Sequence, residues 1–196
     1  LDCCSGTAED SGRGGFDVAV IGAGSAGFSA AITAADLGAR VALVGHGTIG
    51  GTCVNVGCVP SKTLIRAAEA VHAGQASRRF PGLGGTLQLA DWAALAASKD
   101  ELVAGLRQKK YVDLLPAYPG VTYVEGRARF VDGKLLVDDA PMPVGKIILA
   151  MGARAAVPPI PGLEDVPWLS STSALALERL PRSLLVIGGG VIGVEL

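Results

Sequence analysis

Apolar and polar positions follow one another along this chain with two periods, and the places where the period changes mark its elements. Phe16–Ile21 reads FDVAVI, a short and almost unbroken apolar run that predicts a buried strand. Residues 25–37 follow as an alanine-rich helix closed by Gly38, and 41–44 (VALV) return as a second buried strand. Farther on, residues 61–77 carry a helical pattern, 78–86 a loop rich in proline and glycine, and 91–115 a long helix capped by Asp91. Residues 121–130 and Lys134–Val137 read as strands joined through Asp132-Gly133, a dipeptide suited to a tight hairpin turn. Residues 144–150 form another apolar strand, 158–167 a proline-stiffened linker, 175–180 a short helical piece, and 183–187 a last apolar strand. Strands alternating with helices predict an α/β fold whose parallel sheet is buried on both faces.

The first and last of these strands each run into a glycine turn. Gly22-Ala23-Gly24-Ser25-Ala26-Gly27 follows the first, and Gly188-Gly189-Gly190-Val191-Ile192-Gly193 follows the last. Glycines at this spacing allow a tight turn, close approach of backbone to a pyrophosphate, and close packing of helix on strand. The phosphate then rests on the helix N-terminus, where free N–H groups and the dipole favour an anion. Strand, turn, helix and strand in this order make the first turn a strong dinucleotide signal. One part is missing. The acid expected about 20 positions on, which binds a ribose hydroxyl, is replaced by Gly45-His46. Either backbone and water serve the ribose, or this nucleotide is held less tightly.

Between the turns lies GGTCVNVGCVPSK, residues 50–62, with Cys53 and Cys58 five positions apart. In a regular helix such residues are roughly 8 to 9 Å apart, whereas a disulfide spans at most about 7 Å between Cα atoms. Bonding them needs a distorted turn, for which Gly57 and Pro60 supply backbone freedom and a missing N–H. Such a strained, accessible disulfide is readily reduced. A helix beginning here would also lower the thiol pKa through its dipole. The other readings are two free buried cysteines or a zinc pair, for which Cys3, Cys4, His46 and His72 are the only further Cys or His ligands. Two nucleotide turns flanking a redox pair imply an electron relay.

These residues, with Ala150-Met151-Gly152 and Pro158-Pro159-Ile160-Pro161-Gly162, resemble the flavin-dependent pyridine nucleotide-disulfide oxidoreductases over residues 16–196. Within that family the likeness is to the mercuric reductases, carried by GTIGGTCVNVGCVPSK, by Leu106-Arg107 before Lys110-Tyr111, and by residues 125–130 (EGRARF). The resemblance implies a Rossmann-like FAD-binding domain, a parallel sheet plus a β-hairpin or meander, over 16–155. A linker over 156–182 and the start of a second Rossmann-like, NAD(P)-binding domain at 183–196 would follow it. It implies that Cys53 meets substrate, that Cys58 lies beside the flavin, and that Lys62 sits near the flavin's reactive nitrogen. FAD contacts would come from Gly22, Gly24, Ser25, Ala26, Gly27, Gly47, Gly51, Thr52, Lys62, Ala128 and Gly152, and NAD(P) contacts from Gly188, Gly190 and Gly193. The family's Ala-Thr-Gly reads Ala-Met-Gly here, so a threonine hydroxyl contact is lost at Met151.

The implied reaction is reduction of Hg(II) to Hg(0), with electrons passing from NAD(P)H, NADPH preferred, through FAD to the Cys53/Cys58 pair. Thiolates are the natural ligands of so soft an ion. Cys3-Cys4, in a flexible leader over 1–15, forms a vicinal pair suited to handling the same metal, or else belongs to a leader or fusion scar. Two alternatives stand beside this: a dihydrolipoyl dehydrogenase-like oxidoreductase acting on a small dithiol, and a non-catalytic thiol module that binds soft metal. The chain is expected to be an N-terminal fragment, inactive alone, of a protein that forms homodimers.

Composition changes this picture little. Hydrophobic residues are 49% and aromatic ones only 5%, with 28 glycines, as suits buried parallel strands. A net charge of −1 without a basic block argues against nucleic acid as a partner. No run is apolar enough to span a bilayer, and residues 1–15 lack a signal-peptide pattern, so the cytoplasm is the expected compartment.

Overall fold

The computed structural model describes residues 15–196. They fall into two compact units, one taking in the residues up to Ile49 and Leu114–Met151, the other Gly50–Asp113 and Gly152–Leu196.

The first unit is built on a four-stranded parallel sheet of order β3-β2-β1-β7, made by β1 (Phe16–Ile21), β2 (Val41–Gly45), β3 (Val121–Glu125) and β7 (Val144–Leu149). The apolar runs of β1 and β2 are continuous because both faces of these central strands are covered. On one face, Ala19, Ile21, Ala42 and Val44 pack with Leu135 and Val137 of a second sheet. On the other, Val20, Val41 and Leu43 are fully buried, as are Phe28 and Ala31 of α1 (Ser25–Asp36). Side chains of this size stabilise by about 2 kcal/mol each when fully buried. Below the sheet, Asp17 takes the Arg40 guanidinium in a two-pronged ion pair and also accepts from the Arg40 backbone N–H at 2.7 Å.

The second sheet is antiparallel, of order β4-β5-β6, from β4 (Ala128–Val131), β5 (Lys134–Val137) and β6 (Ala140–Pro141). Residues 121–130, expected as one strand, are two, because the chain changes sheet at Gly126. A Cβ there would lie 2.5 Å from Val137 Cγ1, and the next N–H, of Arg127, donates to Asp138 Oδ1 at 2.8 Å. The predicted hairpin turn forms with positive φ at both Asp132 (49°) and Gly133 (74°), as a type I′ turn demands.

The second unit is helical: α2 (Gly51–Val56), α3 (Cys58–Ala76), α4 (Trp92–Arg107), α5 (Ser171–Leu175) and α6 (Val191–Glu195). Asp91 caps α4 by accepting from the Ala94 N–H at 3.1 Å. The long helix expected over 91–115 ends as α at Arg107 and widens into a π turn at Gln108–Val112. Pro116 bars an α-helix from running on through Leu115. One face of α4 holds the end of α5: the buried Lys99 ammonium donates to the Leu175 carbonyl at 2.8 Å, and Trp92 Nε1 to Leu177 O at 2.9 Å. That helix forms ahead of the expected 175–180 because Ser170 and Ser173 cap one another's backbone N–H groups.

The strand expected at 183–187 does not form. A strand is defined by hydrogen bonds to a neighbour, and among the described residues none pairs with this segment, whose Leu185 and Ile187 are 84% and 65% exposed.

Candidate functional site

The two glycine turns share one geometry. Gly22 and Gly188 both have φ of +118°, a region closed to other residues. A Cβ on Gly27 would lie 1.7 Å from the Gly22 carbonyl oxygen, and one on Gly193 would lie 2.2 Å from that of Gly188. The third glycine of each turn is thus pressed onto the first. Gly24 and Gly190 cap α1 and α6 in extended backbone, with no side chain occupying the helix N-terminus. A Cβ on Gly22 would also strike the Ala150 carbonyl at 2.1 Å, so the backbone before Met151 passes where only glycine leaves room. Helix N–H groups free of side-chain caps and a backbone stripped of Cβ atoms fit a pyrophosphate. The residues of both turns therefore suit a dinucleotide pyrophosphate.

Cys53 and Cys58 belong to different helices. The backbone breaks at Gly57, the last position before α3, where a Cβ would sit 2.9 Å from Thr52 O and 3.3 Å from the Cys53 Cα. Only glycine lets α3 start so close to α2. Pro60 lies in the first turn of α3, where its missing N–H costs no hydrogen bond, and is fully buried. The result is a pair of exposed free thiols.

The Cys53 thiol is pushed above the ordinary range, first by its hydrogen bond with Cys58 and then by burial. The Cys58 backbone N–H and the Lys110 cation pull the other way. The lowered thiol pKa expected from sequence is not met at Cys53, where the partner thiol and burial outweigh the backbone N–H and the cation.

The rest of the second unit explains Arg107, Lys110 and Tyr111, residues the sequence marked without giving them a task. Arg107 donates to Asn55 Oδ1 at 2.9 Å, and Asn55 Nδ2 donates to Gly51 O at 2.9 Å, so α4 is tied to the cysteine turn. The Tyr111 ring is buried against Gly50, whose φ of +101° starts α2 and whose Cβ would touch Val54 at 2.6 Å and the ring at 3.2 Å. The π turn brings Lys110 within electrostatic range of Cys53 and sets Tyr111 against Gly50.

Lys62, one turn beyond Cys58, forms an ion pair with Glu195 of α6, while the buried Ser61 hydroxyl lies 3.5 Å from the same carboxylate and 3.3 Å from Cys58 O. Sequence reasoning missed Glu195. Its signal was an acid placed two residues after Gly193 on the helix that the second turn opens.

The predicted residues divide between the units. Gly22, Gly24, Ser25, Ala26, Gly27, Gly47 and Ala128 lie in the first, where Ala128 packs against the core. Gly51, Thr52, Cys53, Cys58, Lys62, Gly152, Gly188, Gly190 and Gly193 lie in the second. Cys3 and Cys4 lie outside the described residues. Among the described residues no three His, Cys, Asp or Glu side chains are grouped as a resident metal site would require. Nor is any described helix long and apolar enough to cross a membrane.

The family model for pyridine nucleotide-disulphide oxidoreductases matches residues 16–196. A mercuric reductase of Streptomyces lividans is 46% identical over 187 residues, covering 92% of this chain and 39% of that protein. One of Staphylococcus aureus is 47% identical over 184 residues, covering 93% and 33%. Among solved structures, the HOCl-induced flavoprotein disulfide reductase RclA of Escherichia coli is 36% identical, with a TM-score of 0.72, over 91% of this chain and 38% of its own. A Cu(II) complex of that reductase matches with a TM-score of 0.71 at 34% identity, over 93% and 39%. The chain spans between a third and two-fifths of the length of these relatives.

Proposed function

The chain belongs to the pyridine nucleotide-disulphide oxidoreductase family, and on that premise we propose that it carries the thiol centre of an NAD(P)H-dependent flavoprotein whose substrate is Hg(II). The observation that carries the reading is the Cys53/Cys58 pair, exposed and hydrogen-bonded across the Gly57 break. Two soft sulfurs held by one turn match an ion that prefers two thiolates. Binding releases both thiol protons and leaves a neutral dithiolate complex. The first glycine turn would hold FAD, which, once reduced by NAD(P)H, would supply the electron pair for reduction of the ion.

Each neighbouring group has a task in this reading. Lys110 favours loss of the Cys53 proton as metal arrives. Lys62, held in place by Glu195, keeps a cation one turn from Cys58. Asn55 and Arg107 fix the turn so that the two sulfurs stay within reach of one ion. NADPH as the preferred nicotinamide, a homodimeric whole protein and a cytoplasmic setting belong to the same proposal.

The test is a Hg(II) titration of the chain in a background lacking Cys3 and Cys4, against a competing small thiol. One ion per chain is expected, with binding lost in Cys53→Ser and in Cys58→Ser. Stoichiometric binding that survives both substitutions would sink the proposal. A dithiol substrate in place of Hg(II) predicts instead that dihydrolipoamide reduces the oxidised Cys53–Cys58 pair, counted as thiols regained, as its own thiols close to a disulfide.

A further inference from the structure

The acid that a dinucleotide fold places at the end of its second strand is absent, and the structure shows what fills the space. Gly45 closes β2 about 20 positions beyond the first glycine turn. Its φ lies outside the left-handed region, so the backbone does not call for glycine. Space does. A Cβ on Gly45 would lie 2.7 Å from Tyr123 Oη, 2.9 Å from Tyr123 Cε2 and 2.7 Å from Ala23 Cβ.

Tyr123 stands on β3 opposite Leu43, two residues before Gly45, and residues two apart on a strand share a face. Its hydroxyl therefore occupies the volume a side chain at position 45 would enter, beside Ala23 of the glycine turn. That is the carboxyl end of parallel strands, the edge on which such sheets bind nucleotides.

We infer that the Tyr123 hydroxyl replaces the missing acid and holds the adenosine ribose of FAD, with Gly45 kept small to admit the phenol. The inference rests on the flavin reading above. Burial, and then the Glu125 carboxylate two residues on, raise the Tyr123 pKa from an already high ordinary value. The phenol therefore stays protonated and neutral near pH 7, able both to donate to and to accept from a ribose hydroxyl. A carboxylate only accepts. A neutral hydrogen bond is also weaker than a charged one, so this site gives up some affinity to a carboxylate site.

The test is the affinity of the chain for FAD and for FMN, which lacks the adenosine, followed by flavin fluorescence. Tyr123→Phe keeps the ring and its packing and removes only the hydroxyl. It is expected to weaken FAD binding by about five- to tenfold and to leave FMN unchanged. Gly45→Glu alone should weaken FAD further, by collision with the phenol. The pair Gly45→Glu and Tyr123→Val, which gives the acid room, should restore it. Unchanged FAD affinity in Tyr123→Phe, or equal losses for both flavins, overturns the inference while the flavin reading stands. A wild-type chain that binds neither flavin overturns both.

Discussion

Cys53 holds its proton to higher pH than a thiol in water because the proton is shared with Cys58 and the site is partly buried. A group whose pKa is raised on folding stabilises the fold below its unfolded pKa, and that contribution is lost as pH rises through the folded value. The pair should therefore loosen at alkaline pH. Peptide-resolved alkylation with iodoacetamide reads this directly: the pH midpoint for Cys53 should lie above the ordinary thiol range. Cys58→Ala, which removes the first cause of the shift, should bring the midpoint down. Lys110→Met, which removes a cation that favours the thiolate, should raise it further. A midpoint indifferent to Cys58 would show that burial alone sets this thiol. That both cysteines meet at one turn was legible from spacing and neighbours, but their protonation was not. The dipole argument considered one helix, whereas the thiol answers to a partner sulfur and to a lysine 57 positions along the chain. Glu195 escaped for the same reason, since its contact with Lys62 joins residues 133 apart.

At the scale of elements, the turn between α2 and α3 is governed by what Gly57 lacks. Gly57→Ala puts a methyl 2.9 Å from Thr52 O and 3.3 Å from the Cys53 Cα, so α3 must move off α2. Overpacking of this kind costs about 1–3 kcal/mol, measurable as a lower midpoint in urea. The separation it forces should also slow closure of a Cys53–Cys58 disulfide under mild oxidant, counted as thiols lost over time. Normal closure with lowered stability would mean that the turn is structural and does not set the sulfur geometry. Elements whose cause is local were readable: β1, β2, the Asp91 cap and the Asp132-Gly133 hairpin each depend on residues within a few positions. Two of the misread elements depend on distant partners. The chain leaves the parallel sheet at Gly126 because Val137 and Asp138, eleven and twelve residues on, crowd that point. Residues 183–187 have the right composition for a strand and no described neighbour to make them one.

Across the whole chain, apolar surface and charge set how it behaves in solution. In the first unit β7 is an edge strand whose Ile147, Ile148 and Leu149 are 37%, 39% and 57% exposed. In the second, Leu185, Ile187, Val191, Ile192 and Val194 are each at least 60% exposed within ten residues. Unpaired edges and contiguous apolar patches are the surfaces through which chains associate. A net charge of −1 supplies almost no repulsion to oppose that. The chain should therefore self-associate at tens of micromolar, seen as a rising weight-average mass in sedimentation equilibrium. Leu185→Glu with Ile187→Glu adds two negative charges inside the apolar stretch and should shift the species toward monomer. Charge alone should do less, so Gln88→Glu with Ser98→Glu, the same charge at exposed polar positions, is the control. If both pairs dissolve the association equally, net charge governs it. If only the first does, the stretch after residue 183 is the contact surface, and the same substitutions should leave Hg(II) binding at Cys53 and Cys58 intact.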